Sequence, residues 1–186
     1  CRGRRMLGGR PGPSCRGTLV TFGGLPGTGK TTLARVLAYR LGAAYLRIDS
    51  IERALIASGL AGEGDLGPSG YEIAQAVAAD NLRLGLAVVA DAVNPVHLTR
   101  EAWRGVARET GAVHLEVEVV CSDPREHRRR VENRRGDLPG YPLPTWRDVQ
   151  ERAYEPWDGE RLLLDTAMNP VDFLVERILA ALKKMG

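Results

Sequence analysis

Residues 24 to 31 read Gly24-Leu25-Pro26-Gly27-Thr28-Gly29-Lys30-Thr31 and match G-x-x-x-x-G-K-[ST] at each fixed position. An apolar, β-branched run, Thr18 to Phe22, precedes the motif. Thr32 to Leu41 follows, with Leu33, Val36, Leu37 and Leu41 at helical spacing. A strand, a Gly-rich turn and a helix N-terminus are therefore expected in succession, the context in which this motif binds phosphate. Gly27 and Gly29 let the backbone curl so that successive N–H groups point inward. The helix start adds free N–H groups and a positive dipole end. Lys30 places a cation by the outer phosphates, and the Thr31 hydroxyl can ligate Mg²⁺. The expectation is an ATP site held by Gly27, Thr28, Gly29, Lys30, Thr31 and Thr32, with Mg²⁺ beside it.

The rest of the chain alternates strand-like and helix-like segments. Ala43–Ile48, Gly85–Ala90, His114–Cys121 and Arg161–Asp165 read as strands. The third strand, Gly85–Ala90, is apolar throughout, as a strand buried on both faces should be. Helical patterns occupy Tyr71–Leu84, Leu98–Glu109, Pro124–Arg135 and Val171–Lys184. This alternation predicts an open parallel α/β sheet covered on both faces, with ligands at the carboxyl ends of the strands. Two stretches break the rhythm. Residues 61–70 are Gly-rich, and residues 136–145 are Pro-rich and follow an arginine run. Beside a nucleotide site both are candidate lids, the second spanning about residues 130–147.

Composition narrows the class. Of 186 residues, 44% are hydrophobic and 26% charged, which suits one domain with a real core, over residues 17–186. No run approaches the ~20 apolar residues of a membrane span. The start lacks the apolar segment of a secretory leader. The three cysteines, Cys1, Cys15 and Cys121, show no metal-ligand spacing. A cytoplasmic protein is expected. The net charge of +3 is unevenly spread, because residues 1–16 hold five arginines and no acid. That segment reads as a disordered basic tail, and the body beyond it is slightly acidic. A nucleic-acid-binding body is therefore not expected. The sequence does not reveal an oligomeric state.

Four places carry candidate chemistry. Asp91 ends the third strand, where a carboxylate would face Mg²⁺; a turn cap is the alternative. Asn94, on the same loop, is a candidate substrate contact or a turn residue before Pro95. Asp49 ends the second strand, either as a general base for an acceptor hydroxyl or as a helix N-cap. Arg53, one turn further on, would bind substrate or steady Asp49. In the run Arg125, Arg128, Arg129, Arg130, Arg134 and Arg135, the pair Arg130 and Arg134 has i, i+4 spacing. On one helix face they could clamp ATP phosphates and offset transition-state charge, although such a run also makes a solvated face.

On these motifs the chain, over about residues 18–184, resembles the small P-loop kinases of the zeta-toxin, chloramphenicol phosphotransferase and gluconate kinase type, which are grouped with AAA-family ATPases. The resemblance implies a P-loop NTPase three-layer sandwich with a five-stranded parallel sheet of order 2-3-1-4-5 and a lid. It implies transfer of the ATP γ-phosphate to a hydroxyl of a small molecule. Asp49 would be the base, Thr31 and Asp91 would stand around Mg²⁺, and Arg130 and Arg134 would be lid arginines. Asp91 lacks the neighbouring acid of motor-type ATPases, which argues against a mechanical machine. Polynucleotide 5′-hydroxyl kinases share such a core, and a regulatory nucleotide-binding NTPase is a further alternative. Asp49 favours a kinase over a switch, and the acidic body favours a small acceptor over a polynucleotide.

Overall fold

The computed structural model of the chain describes residues 16–59, 66–134, 136 and 143–185. The basic tail through residue 15 and, of the two candidate lids, residues 61–65, 135 and 137–142 lie outside the described residues.

Five strands form one parallel sheet: β1 (Thr18–Gly23), β2 (Ala44–Arg47), β3 (Ala87–Asp91), β4 (Val113–Val120) and β5 (Leu162–Asp165). Their order is β2-β3-β1-β4-β5, as the resemblance implied. The crossovers run through helices α1 (Lys30–Leu41), α2 (Ile48–Ala57), α3 (Ser69–Arg83), α4 (His97–Thr110), α5 (Pro124–Glu132) and α6 (Trp146–Glu151). Helix α7 (Val171–Met185) closes the chain. The strands alternate their side chains between two cores. Val20 and Phe22 of β1 pack with Leu33 and Leu37 of α1 and Leu174 and Ile178 of α7. Leu19 of β1 and Val88 of β3 face the other way, onto Ala78, Leu82 and Trp103 of α3 and α4. Small residues on α3, Ala74 and Ala78, bring that helix close to the sheet.

Register places the strand ends together. Arg47 of β2 pairs with Asp91 of β3, and Asp91 pairs with Phe22 of β1. The carboxyl end of β1 therefore delivers the phosphate loop beside the carboxylate of β3. Three boundaries differ from the sequence reading. Asp49 lies in the first turn of α2, since the strand stops at Arg47. Helix α5 ends at Glu132, so Arg130 and Arg134 do not share a helix face. Asn133 is the C-cap, at φ −96° and ψ 4°, outside the helical region. Helix α6 arises in the stretch read as lid; a capping box between Thr145 and Asp148 starts it.

Candidate active site

The phosphate loop is set by its backbone. Gly24 has φ of 133°, and a Cβ there would lie 2.2 Å from the Val119 carbonyl oxygen. Gly29, at φ of 94°, is the N-cap of α1. No side chain caps that helix, so its first N–H groups point into the loop for an anion. The Thr28 hydroxyl donates to the Leu25 carbonyl at 2.8 Å and closes the turn from within. Lys30 Nζ donates to the same carbonyl at 3.0 Å. His127 of α5 braces the loop from behind, its Nε2 lying 2.8 Å from the Pro26 carbonyl, and its ring meets Trp146 edge-on. Thr31 begins the cavity floor, whereas Thr32 is exposed on the first turn.

A cleft of about 690 Å³ opens over this loop. Pro26, Lys30 and Thr31 line one side. Asp49, Glu52 and Ile56 of α2 and Tyr71 of α3 line the other. Val93 and Pro95 of the β3–α4 turn, with Arg134, Asp148 and Arg152 from the lid side, complete it. Lys30 is only 7% exposed, and burial pulls its ammonium down to about 8. The Asp91 and Asp49 carboxylates oppose that shift, while Arg134 and Arg152 reinforce it. Both aspartates and both arginines are thus close enough to act on the lysine. Asp91 is 3% exposed and accepts from the Tyr45 hydroxyl at 2.7 Å. Burial first, and then the Asp91 charge, push the Tyr45 phenol up, which keeps it a donor. Arg47, buried at the end of β2, pairs with Asp49 at 3.3 Å and holds that carboxylate at the mouth of the cleft.

The remaining candidates divide. Arg134 lines the cleft. Arg130 turns toward the loop's outer flank instead: it pairs with Glu126, and its two terminal nitrogens donate to the Thr166 hydroxyl and carbonyl. The Thr166 hydroxyl in turn donates to the Thr28 carbonyl, so Arg130 reaches the phosphate loop through Thr166. Asn94 does not line the cleft. It is 1% exposed at a left-handed φ of 48°, and its Nδ2 donates to the Phe22 carbonyl at 2.8 Å. Its backbone N–H donates to the Tyr71 hydroxyl at 3.2 Å, so its geometric role is to shape the turn that presents Val93 and Pro95. Arg53 lies half-buried on α2, outside the cleft lining.

Sequence reasoning missed Tyr45, Arg47 and Arg152. The first two reach the site because β2 neighbours β3, and Arg152 because α6 folds back over the cleft. Among the described residues no group of three or more His, Cys, Asp or Glu could hold a metal unaided. The hard oxygens of Thr31 and Asp91 instead suit Mg²⁺, which takes one or two protein ligands and completes its shell from phosphates and water.

A buried lysine in a glycine-cradled loop at the helix start, at the carboxyl edge of a 2-3-1-4-5 sheet, defines a P-loop NTPase fold. The model for the family AAA_33, described as AAA domain, matches residues 19–156, and the chain belongs to that family. No curated protein matches the sequence. Solved structures share the fold. One from Chloroflexus aurantiacus J-10-fl, described as a kinase, is 21% identical, with a TM-score of 0.71 over 92% of this chain and 98% of that one. The Mycobacterium tuberculosis APS kinase CysC, in complex with AMPPNP and APS, is 20% identical, with a TM-score of 0.68 over 90% and 98%. A gluconokinase from Sinorhizobium meliloti 1021 is 19% identical, with a TM-score of 0.62 over 91% and 93%. Among the described residues no helix is long and apolar enough to cross a membrane.

Proposed function

We propose that this protein is an ATP-dependent kinase that moves the ATP γ-phosphate to a hydroxyl of a small molecule. The observation that carries the reading is the placement of Asp49 across one cleft from Lys30, on a separate wall formed by α2. A nucleotide switch has no use for a carboxylate facing the outer phosphate from the acceptor side, whereas phosphoryl transfer to an alcohol needs a group to orient and deprotonate it. Asp49, steadied by Arg47, takes that role. The first-turn N–H groups of α1 and Lys30 hold the phosphates. Arg134 and Arg152 offset the charge that spreads over the transferred group. Thr31 and Asp91 would hold Mg²⁺, which would supply positive charge to offset that of the phosphates. Tyr71 and Ile56 give the acceptor an apolar shelf beside the Asp49 carboxylate. The named ligand or substrate of two fold relatives, APS and gluconate, is likewise a small hydroxylated molecule. ATP supply and a free, buried Cys121 suit the cytoplasm.

The test is a panel of alcohols (sugars, nucleosides, aminoglycosides and 5′-hydroxyl oligonucleotides) with γ-labelled ATP and Asp49→Asn as the control. Label in a small alcohol, lost in the control, is the expected result. Label in oligonucleotides alone would move the assignment to a polynucleotide kinase. Tight ATP binding with no labelled alcohol would leave a nucleotide-binding NTPase.

A further inference from the structure

Arg100 of α4 is 1% exposed and lies outside the cleft lining, and its guanidinium makes four hydrogen bonds to main-chain carbonyls. Nε donates to the Asn94 carbonyl at 3.0 Å, and one terminal nitrogen donates to the Pro95 carbonyl at 3.0 Å. The same nitrogen reaches the Glu155 carbonyl at 2.7 Å, and the other reaches the Pro156 carbonyl at 2.9 Å. The Trp157 ring stacks 4.5 Å from the guanidinium carbon and the Tyr154 ring 5.4 Å. One side chain therefore ties two segments some sixty residues apart, the turn after β3 and the stretch after α6. The backbone adds a parallel tie, Glu155 N–H to the Pro95 carbonyl at 2.8 Å. Trp157 also rests on Gly23, where a Cβ would come 2.5 Å from the ring, so the same anchor touches the strand end that launches the phosphate loop.

What the anchor holds is the root of Arg152. That arginine is the C-cap of α6, two residues before Tyr154, and its charge acts on Lys30 from the lid side of the cleft. Pro95, on the opposite tie, lines the same cleft. We propose that Arg100 is a positioning residue that fixes Arg152 over the phosphate loop and so acts on phosphoryl transfer without touching a substrate. The inference rests on the kinase reading for its catalytic half; the anchoring half stands on the geometry alone. A long side chain such as Arg152 is useful to a transition state only if its backbone is held, because charge stabilisation depends on donors placed in advance. A planar fork with five donors meets four carbonyls and two rings; a lysine, with three donors on a point charge, does not.

The experiment compares the wild-type chain with Arg100→Lys, Arg152→Ala and the double variant. It measures turnover of γ-labelled ATP at saturation, ATP affinity by calorimetry, and hydrogen exchange. In Arg100→Lys, turnover is expected to fall about tenfold or more while ATP affinity stays within about twofold. The double variant is expected to be no slower than Arg152→Ala alone, because residues acting as a unit are non-additive. Exchange should quicken in residues 146–157 and stay slow in the sheet. Should Arg100→Lys not fold, Trp157→Leu removes the stacked ring, keeps the four carbonyl bonds, and should give the same pattern at smaller size. Multiplicative effects in the double variant, or unchanged exchange in 146–157, overturn the proposal. A wild-type chain that binds ATP and transfers no label to water or any alcohol overturns the kinase reading and the catalytic half with it; the exchange result then decides the anchor.

Discussion

Eight consecutive residues, Gly24 to Thr31, build the phosphate side of the cleft, and five separate segments build the side that faces it. The phosphate side is a backbone device. Its shape comes from positive φ at Gly24, Gly27 and Gly29, and its donors are main-chain N–H groups plus one lysine. The facing side is a side-chain device, with Asp49 and Tyr71 presented by α2 and α3 and Arg134 and Arg152 by the lid. Every P-loop enzyme needs the first, whatever its acceptor. Only the second can distinguish one acceptor from another. The two sides should therefore fail differently when altered.

The largest effect is expected on the phosphate side. Lys30→Ala should lower turnover of γ-labelled ATP by about 10³-fold or more and weaken ATP binding. The fold should survive, since the ligand-free protein holds this cation buried against its preference. Thermal melting with and without ATP checks both halves. Wild-type turnover in this variant would dissolve the contrast between the two sides.

Asp49→Asn, on the facing side, should cut transfer by ~10²–10⁴-fold while calorimetric ATP affinity stays near wild type. Asp91→Asn should instead show its defect as a shifted Mg²⁺ requirement. A Mg²⁺ titration of both variants separates them. Rescue of Asp49→Asn by excess Mg²⁺ would place the metal on the wrong aspartate. For the arginines, Arg134→Ala should lower the turnover number on the order of 10²-fold, as loss of one transition-state donor does. Arg130→Ala should lower it less and disturb ATP affinity more, because its contact with the phosphate loop runs through Thr166. Equal effects would mean that the lid brings both into the cleft.

The smallest effect is a pH dependence. Lys30 titrates at about 8 in the folded protein against an ordinary 10.5, owing first to burial. Between those values the unfolded chain carries more protons, so this group adds stability to the ligand-free fold as pH rises through that window. ATP needs the cation, so its affinity should fall above pH 8, by about tenfold per unit at most, with uptake of about one proton on binding. Calorimetry at pH 9 in two buffers of different ionisation enthalpy measures that uptake. Lys30→Met should abolish it.

The contrast also explains what was legible. The phosphate loop, its flanking strand and helix, and a parallel α/β sheet could be read in advance because each rests on local pattern, while the 2-3-1-4-5 order was implied only by the resemblance that the motifs carry. Asp91 could be placed at the end of β3 for the same reason, whereas Asp49, read as the end of the second strand, lies in the first turn of α2. Tyr45 and Arg47 could not be, because their value depends on β2 lying beside β3 in register, a pairing across more than forty residues. Arg152 was hidden just beyond the Pro-rich stretch, at the end of a six-residue helix started by a Thr145–Asp148 capping box. The arginine run misled on one point. Spacing alone put Arg130 and Arg134 on one helix face, but the helix ends between them, with Asn133 as its C-cap. Asn94 carried a turn signal and a substrate signal at once, and only its burial against Phe22 separates the two.

Arg100 spends its hydrogen bonds on main-chain carbonyls, a group that every amino acid supplies. Four positions around it, Asn94, Pro95, Glu155 and Pro156, can therefore change identity without removing an acceptor, provided the chain path holds. A saturation-mutagenesis map of this protein would then show an intolerant Arg100 beside permissive Glu155 and Pro156, whereas Asn94, buried with its own bond to the Phe22 carbonyl, and Pro95, which lines the cleft, would stay restricted for reasons of their own. Read by tolerance alone, Arg100 would pass for an active-site residue, while Glu155 and Pro156, whose carbonyls give it meaning, would look dispensable.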